Sequence, residues 1–289
     1  MIYIILPVHN RLDETRKFIS CLRTQTVRDY HLILVDDGCT DGTAGYVRSE
    51  IENLTVLQGN GNLWWAGSLE KARKHLLQRQ GVSDDDVVLI ANDDITFADH
   101  FLQDVIREVR HTPNALILAK CYDQETGGLM DQGAHVDWKV LSFHPAAGPD
   151  GINVLSTRGL FMDFRVFRKI GRLHPFLLPH YGSDYEFTHR AFRKGYSLTI
   201  SKQAKVYLNK KTTGEREIKY DIRLSSLLYN LFISKKSDYN RVMWTNFILL
   251  ACEPKYIPVN LFRIHAGTFG ILVRWLSFSM RKLFSHEKI

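Results

Sequence analysis

Cysteine is scarce and scattered: Cys21, Cys39, Cys121 and Cys252 form no Cys-x-x-Cys pair. That spacing argues against a zinc site or a disulfide framework and for a reducing compartment. No uncharged apolar run reaches the roughly eighteen residues of a membrane-spanning helix. The opening run Ile2-Tyr-Ile-Ile-Leu-Pro7 is too short for a signal peptide and has no basic segment before it. A cytoplasmic location is therefore expected. Internal repeats and low-complexity tracts are missing. His9, His135, His144 and His180 have no metal-ligand spacing and read as ordinary surface or pocket histidines.

The chain has 289 residues, enough to bury a large core, and is 45% hydrophobic and 24% charged, as soluble globular proteins are. Its net charge of +7 points to an anionic partner: nucleotide, nucleic acid or anionic lipid. No nucleic-acid-binding module is recognisable, so nucleic acid is not expected.

Apolar runs of strand length at Ile2 to Val8, Tyr30 to Val35, Leu54 to Leu57, Val87 to Ala91 and Leu116 to Lys120 alternate with segments of helical spacing. Those segments are Arg11 to Gln25, a stretch ending near Asn53, Ser68 to Arg79 and His100 to His111. This rhythm predicts an α/β fold with a mostly parallel sheet flanked by helices. Pro7 cannot donate to a ladder and marks the end of the first strand. After Tyr122, Gly127, Gly128, Gly133, Gly148 and Gly151 punctuate short hairpin-like segments. Helical spacing returns at Tyr185 to Lys194 and again from about Arg216 to the end. A boundary is expected near residue 214, giving a catalytic unit over 1–214 and a helical C-terminal region over 215–289.

Val87 to Ala91 reads as a strand buried on both faces, and it ends at Asn92-Asp93-Asp94. An isolated Asp-Asp at a strand end is usually a solvated pair. Here two further acidic clusters, Asp36-Asp37 and Asp184 with Glu186, also fall at expected strand ends. Buried parallel strands present ligand groups at their carboxyl ends. Several carboxylates gathered there by a basic protein suggest a hard divalent cation and a phosphate ester. The glycine-rich segments Asp36–Thr43 and Gly59-Asn-Gly-Asn-Leu-Trp-Trp-Ala-Gly67 would let backbone approach phosphates. The second is neither Gly-x-Gly-x-x-Gly nor a Walker loop.

Four segments in order resemble family 2 glycosyltransferases of the GT-A fold, the inverting, rhamnosyltransferase-like kind that builds bacterial surface polysaccharide. Ile4-Ile-Leu-Pro-Val-His-Asn10 resembles the opening strand, and Val35-Asp-Asp-Gly-Cys-Thr-Asp-Gly-Thr43 matches its turn almost letter for letter. Asn92-Asp-Asp94 stands in the place of the Asp-x-Asp element. Tyr181-Gly-Ser-Asp-Tyr-Glu-Phe187, with Arg190 and Gly195-Tyr196, resembles the segment that carries the base. The likeness spans roughly residues 2 to 208. It implies transfer of a hexosyl group from a nucleotide-diphosphate donor to the hydroxyl of a glycan or lipid-linked glycan.

By this resemblance Pro7, Asp36 and Asp37 line the nucleoside pocket. Asp94 holds Mg2+ or Mn2+ on the donor diphosphate, and Asn92 or Asp93 contacts ribose or metal-bound water. Asp184 is the general base, although its position also suits a helix cap. Arg190 reads equally as a phosphate contact and as the ion-pair partner of a carboxylate. Asn62 belongs to the donor loop, and Trp64 either stacks on a sugar face or fills the core beneath the loop. Where the family often carries a metal-binding His, this chain has Leu208-Asn209, with Asn209 a weak substitute.

From Leu261 to Phe284 aromatic and aliphatic residues alternate with Arg263, Arg274, Arg281 and Lys282. A basic amphipathic helix of this kind lies on an anionic membrane surface or packs against its own domain or a second subunit in a homo-oligomer. Two rival functions remain. A non-catalytic nucleotide-sugar-binding protein would tolerate the altered Asp-x-Asp element. A sugar nucleotidyltransferase would want a glycine-rich loop after the first strand, where Val8-His-Asn-Arg-Leu12 has no glycine.

Overall fold

The computed structural model describes residues 1–208 and 218–286, with side chains through residue 282. Asn209 and the expected boundary at 214 lie outside the described residues.

Strand β1 (Ile2–Val8) is buried along its whole length and sits between β2 (Tyr30–Asp36) and β4 (Val87–Ile90). β3 (Leu54–Gln58) closes that edge, and all four strands are parallel. β10 (Leu160–Asp163) then runs antiparallel between β4 and β6 (Ala115–Asp123). β11 (Ser197–Leu208) returns parallel to β6, and the short β5 (Ile95–Thr96) pairs with its far end. β7 (Leu129–Asp131) pairs with β6, while β8 (Ala134–Asp137) and β9 (Ser142–Pro145) form a separate hairpin.

The two-residue alternation of a strand divides the core. From β1, Ile2, Ile4, Leu6 and Val8 face α1 (Leu12–Arg23), α2 (Thr43–Glu50) and α4 (Phe101–His111). Tyr3 and Ile5 face α3 (Trp64–Gln78), α5 (Phe164–Ile170) and α6 (Ser183–Arg193). A mixed sheet with helices on both faces results, as the alternating sequence predicts.

Pro7 does not end β1; it lies inside the strand opposite Val35. Its role is at the other edge. The Ile5 carbonyl accepts from Ala91 N–H, and pairing with β4 stops at Ile5↔Ile90. Residue 7 points to the same side as residue 5, so the missing N–H falls where the ladder has already ended. β1 and β4 part there, and a crevice opens at the carboxyl ends of the strands.

The C-terminal region is helical, as expected, in α7 (Leu224–Phe232), α8 (Arg241–Ala251) and α9 (Ile257–His286). α8 and α9 share one core with the β8–β9 hairpin, built from Val136, Trp138, Met243, Phe247 and Ile264. Among the described residues no helix is long and apolar enough to cross a membrane.

Candidate active site

The crevice is walled first by the turn after β2. Asp36 is buried, and its Oδ1 accepts the Cys39 N–H at 2.7 Å. Asp37, also buried, accepts three backbone N–H groups from the glycine-rich loop: Gly61 at 2.8 Å, Leu63 at 2.9 Å and Trp64 at 3.1 Å. Only glycine fits at position 59, where a Cβ would lie 2.5 Å from Asp37 Oδ1. Asp37 therefore holds the loop in shape, and its carboxylate is spoken for by backbone. Asp41 closes the turn, accepting from Leu12 N–H at 2.9 Å and Thr43 Oγ1 at 2.6 Å. Opposite, Asn10 Oδ1 accepts from Thr40 N–H at 2.7 Å, and His9 Nδ1 lies 2.6 Å from the Asp37 carbonyl. The ends of β1 and β2 are thus cross-linked into one rim.

α3 begins at Trp64, four residues before the start that sequence spacing suggests. The bonds to Asp37 account for the early start, because they satisfy N–H groups that a helix N-terminus leaves orphaned. Trp64 adopts φ 59, a left-handed conformation rare for a bulky residue. Its indole Nε1 donates to Asn62 Oδ1 at 2.7 Å, and its ring stands 5.7 Å from that of His180. Lys235, from the α7–α8 connection, donates to the same Asn62 oxygen at 2.9 Å and lies 5.7 Å from the Trp64 ring centre. Trp64 is half-buried at the rim; it is the neighbouring Trp65 that reaches inward to Thr157 Oγ1 at 3.1 Å.

The tip of β4 forms the second wall. Three oxygens there, Asn92 Oδ1, Asp93 Oδ2 and Asp94 Oδ1, are buried and accept no hydrogen bond. Arg11 answers part of the charge: its Nε is 3.4 Å from Asp93 Oδ2 and its Nη2 3.1 Å from Asp94 Oδ2. Burial pushes the Asp93 carboxyl up to about 7; Asp94 adds to the rise and Arg11 opposes it. A buried oxygen without a donor is costly unless a cation or ligand meets it. The donor set is all oxygen, which suits Mg2+ or Mn2+. Among the described residues no group of three His, Cys, Asp or Glu side chains is arranged to hold a metal.

The third acidic cluster sits on a helix rather than at a strand end. Asp184 lies in the first turn of α6, where its Oδ1 accepts the Tyr185 N–H at 2.9 Å. Burial raises its carboxyl to about 6, against the pull of that bond and of the Arg158 charge. Arg158 and Asp131 act electrostatically on both Asp184 and Cys121, and Asp94 acts on Cys121, so these groups share one neighbourhood.

Glu186 and Arg190 belong elsewhere. Arg190 holds Glu186 in a two-pronged pair, both contacts at 2.8 Å, and donates to the Ile170 carbonyl at 2.9 Å. With Glu186 buried, this pair ties α6 to the end of α5. Sequence reasoning passed over Arg11, Arg158 and Lys235. Arg11 directly follows the Pro-Val-His-Asn strand end and Arg158 directly precedes Gly159, whose φ is 78; only those junctions could have flagged them.

Residues 3–171 match the model of glycosyl transferase family 2. The chain belongs to glycosyltransferase family 2. Among solved structures, S. aureus TarS 1-349 in complex with UDP-GlcNAc superposes with a TM-score of 0.57 at 17% identity, covering 90% of this chain and 83% of that one. A longer TarS structure gives 0.57 at 17% identity over 93% of this chain, which spans 53% of it. GalNAc-T7 with UDP, GalNAc and Mn2+ gives 0.59 at 11% identity, with 72% and 44% covered. These likenesses establish the GT-A fold. No curated protein sequence matches the chain. In open α/β sheets ligands bind in the crevice outside the carboxyl ends of the strands, which here lies at the ends of β1, β2 and β4.

Proposed function

We propose that this family 2 enzyme transfers a hexosyl group with inversion, from a uridine-diphosphate sugar to a glycan or lipid-linked glycan hydroxyl in cell-surface polysaccharide synthesis. The observation that carries the reading is the trio of buried oxygens on Asn92, Asp93 and Asp94 that accept no hydrogen bond, at the end of a buried parallel strand with Arg11 as the ion-pair partner beside them. That TarS structures hold UDP and UDP-GlcNAc, and GalNAc-T7 UDP and Mn2+, supports the choice of donor and cation.

In this reading the rim formed by Pro7, Asp36 and the loop that Asp37 holds receives the nucleoside. Asp94, with Asp93, would hold Mg2+ or Mn2+ through carboxylate oxygens, and Asn92 would offer its amide oxygen to ribose or to bound water. When bound, such a cation would supply positive charge against the departing diphosphate. Arg11 lies beside the same carboxylates and stays available to a phosphate oxygen. Asp184 takes the acceptor proton as its oxygen attacks the anomeric carbon. Its raised pKa suits a base working near neutral pH. Trp64 and Asn62 border the sugar, with the exposed part of the indole as a flat face.

The test is to incubate the enzyme with UDP-GlcNAc, Mn2+ and a panel of glycan acceptors, and to read UDP release and the product's anomeric configuration by NMR. Release coupled to a glycoside of inverted configuration supports the reading. Nucleotide-sugar binding with no turnover across donors and acceptors would favour a binding protein instead.

A further inference from the structure

Helix α9 carries two apolar stripes, and only one of them is used within the chain. Asn260, Ile264, Thr268 and Ile271 are buried against the body. Asn260 donates to the Trp138 carbonyl at 2.8 Å, and Trp275 Nε1 reaches the Ile222 carbonyl at 2.8 Å. The second stripe is Val259, Phe262, Ala266, Phe269, Val273, Leu276 and Met280. All seven are exposed, Phe262 at 72% and Phe269 at 70%.

Their spacing alternates three and four residues without a break. That is a heptad seam, with Val259, Ala266, Val273 and Met280 at a and Phe262, Phe269 and Leu276 at d. Ile264 and Ile271, the anchors to the body, fall at f, diametrically opposite. The seam therefore points straight away from the rest of the chain.

We infer that α9 pairs with α9 of a second copy of this chain, seam to seam. The period is the first reason, since a 3.5-residue repeat suits a facing helix, whereas a surface helix that only covers a core needs a broader stripe. Knob size is the second. Ala266 lies between Phe262 and Phe269, which leaves a hole for a facing ring. The third is charge. A helix on anionic lipid has basic residues along the borders of its apolar face. Here the borders at e and g hold Arg263, Gly270 and Ser277 on one side and His265, Leu272 and Ser279 on the other. Arg274, Arg281 and Lys282 sit at b and c, off the borders of the seam and exposed, and Lys282 is paired with Asp221.

Area is the fourth reason. With aromatic side chains of about 150–250 Å² each, the exposed seam offers on the order of 700 Å² per copy, close to the ~800 Å² per partner of a standard interface. A helix of 30 residues gives it a length of roughly 45 Å.

The test is the mass of the full chain by size exclusion with light scattering at micromolar concentration. The parent protein should run at twice the mass of one chain, and Phe262→Asp/Phe269→Asp at the mass of one. Phe176→Asp, at a loop residue 97% exposed, should leave the dimer intact. UDP binding and the circular dichroism melt report that each variant is folded. A monomeric parent, or a dimer that persists in the double variant, overturns the inference. So does a monomeric parent that floats with phosphatidylglycerol vesicles and loses them in the double variant, which would assign the seam to lipid.

Discussion

Arg11 Nη2 lies 3.1 Å from Asp94 Oδ2, so a side chain from the residue just before α1 stands as counter-ion to the carboxylates at the end of β4. The pair joins two segments 83 residues apart and sets the charge of the crevice before any ligand arrives. Removing Arg11 leaves Asp93 and Asp94 facing each other. Because Arg11 is about a third exposed, water already screens part of the pairing. Arg11→Gln should lower stability in EDTA by ~1–2 kcal/mol. Mn2+ should then raise the variant's Tm by more than it raises the parent's. Equal shifts would mean that Arg11 and the cation do not answer the same charge.

Asp37 is expected to act through the loop it holds. Asp37→Ala removes the acceptor for three backbone N–H groups and should cost about 2–4 kcal/mol in urea unfolding. UDP affinity should fall with it. Asp37→Asn keeps one acceptor oxygen and should lie between. A stable Asp37→Ala variant that loses only UDP binding would give Asp37 direct contact with the nucleoside instead.

Asp184→Asn should lower kcat by about 10²–10⁴ while leaving UDP affinity unchanged. With the parent carboxyl raised to about 6, its transfer rate should fall as pH drops through that value, since the protonated acid cannot accept the acceptor proton. Linkage has the opposite sign. The folded pKa lies above the ordinary carboxylate value of 3.8, so the ionised carboxyl is disfavoured by folding. Between pH 3.8 and about 6 the parent should lose stability relative to Asp184→Asn as pH rises, and at pH 8 the variant should be no less stable. Parental turnover in Asp184→Asn would remove the base from this position.

Arg190→Ala should act on stability alone. It strands the buried Glu186 carboxylate, whose side chain is 3% exposed, at a cost of about 3–5 kcal/mol. UDP affinity of the folded protein should stay parental. Intact stability with lost UDP binding would restore a phosphate contact.

Much of the sheet was legible because buried parallel strands are long apolar runs: β1, β2, β3 and β4 begin where their runs begin. The Asp36-Asp37 and Asp93-Asp94 pairs were legible as strand-end groups for the same reason. What the sequence hid was partnership. Asp37 reads as a ligand group until its three N–H partners are seen, because they lie 24 to 27 residues away. Arg190 sits on the right helix, but an i,i+4 partner on the same helix takes its donors. The first stripe of α9 hid the second: mixed with Arg and Lys, the aromatics look like one amphipathic surface until burial shows which of them the body covers.

The account turns on a diphosphate held through the end of β4. Calorimetry of UDP binding to the parent and to Asp94→Ala, each with Mn2+ and with EDTA, tests it most directly. We predict parental affinity about 10–100-fold tighter with Mn2+ than with EDTA, and Asp94→Ala equally weak in both. Equal parental affinity with and without the metal would contradict the account.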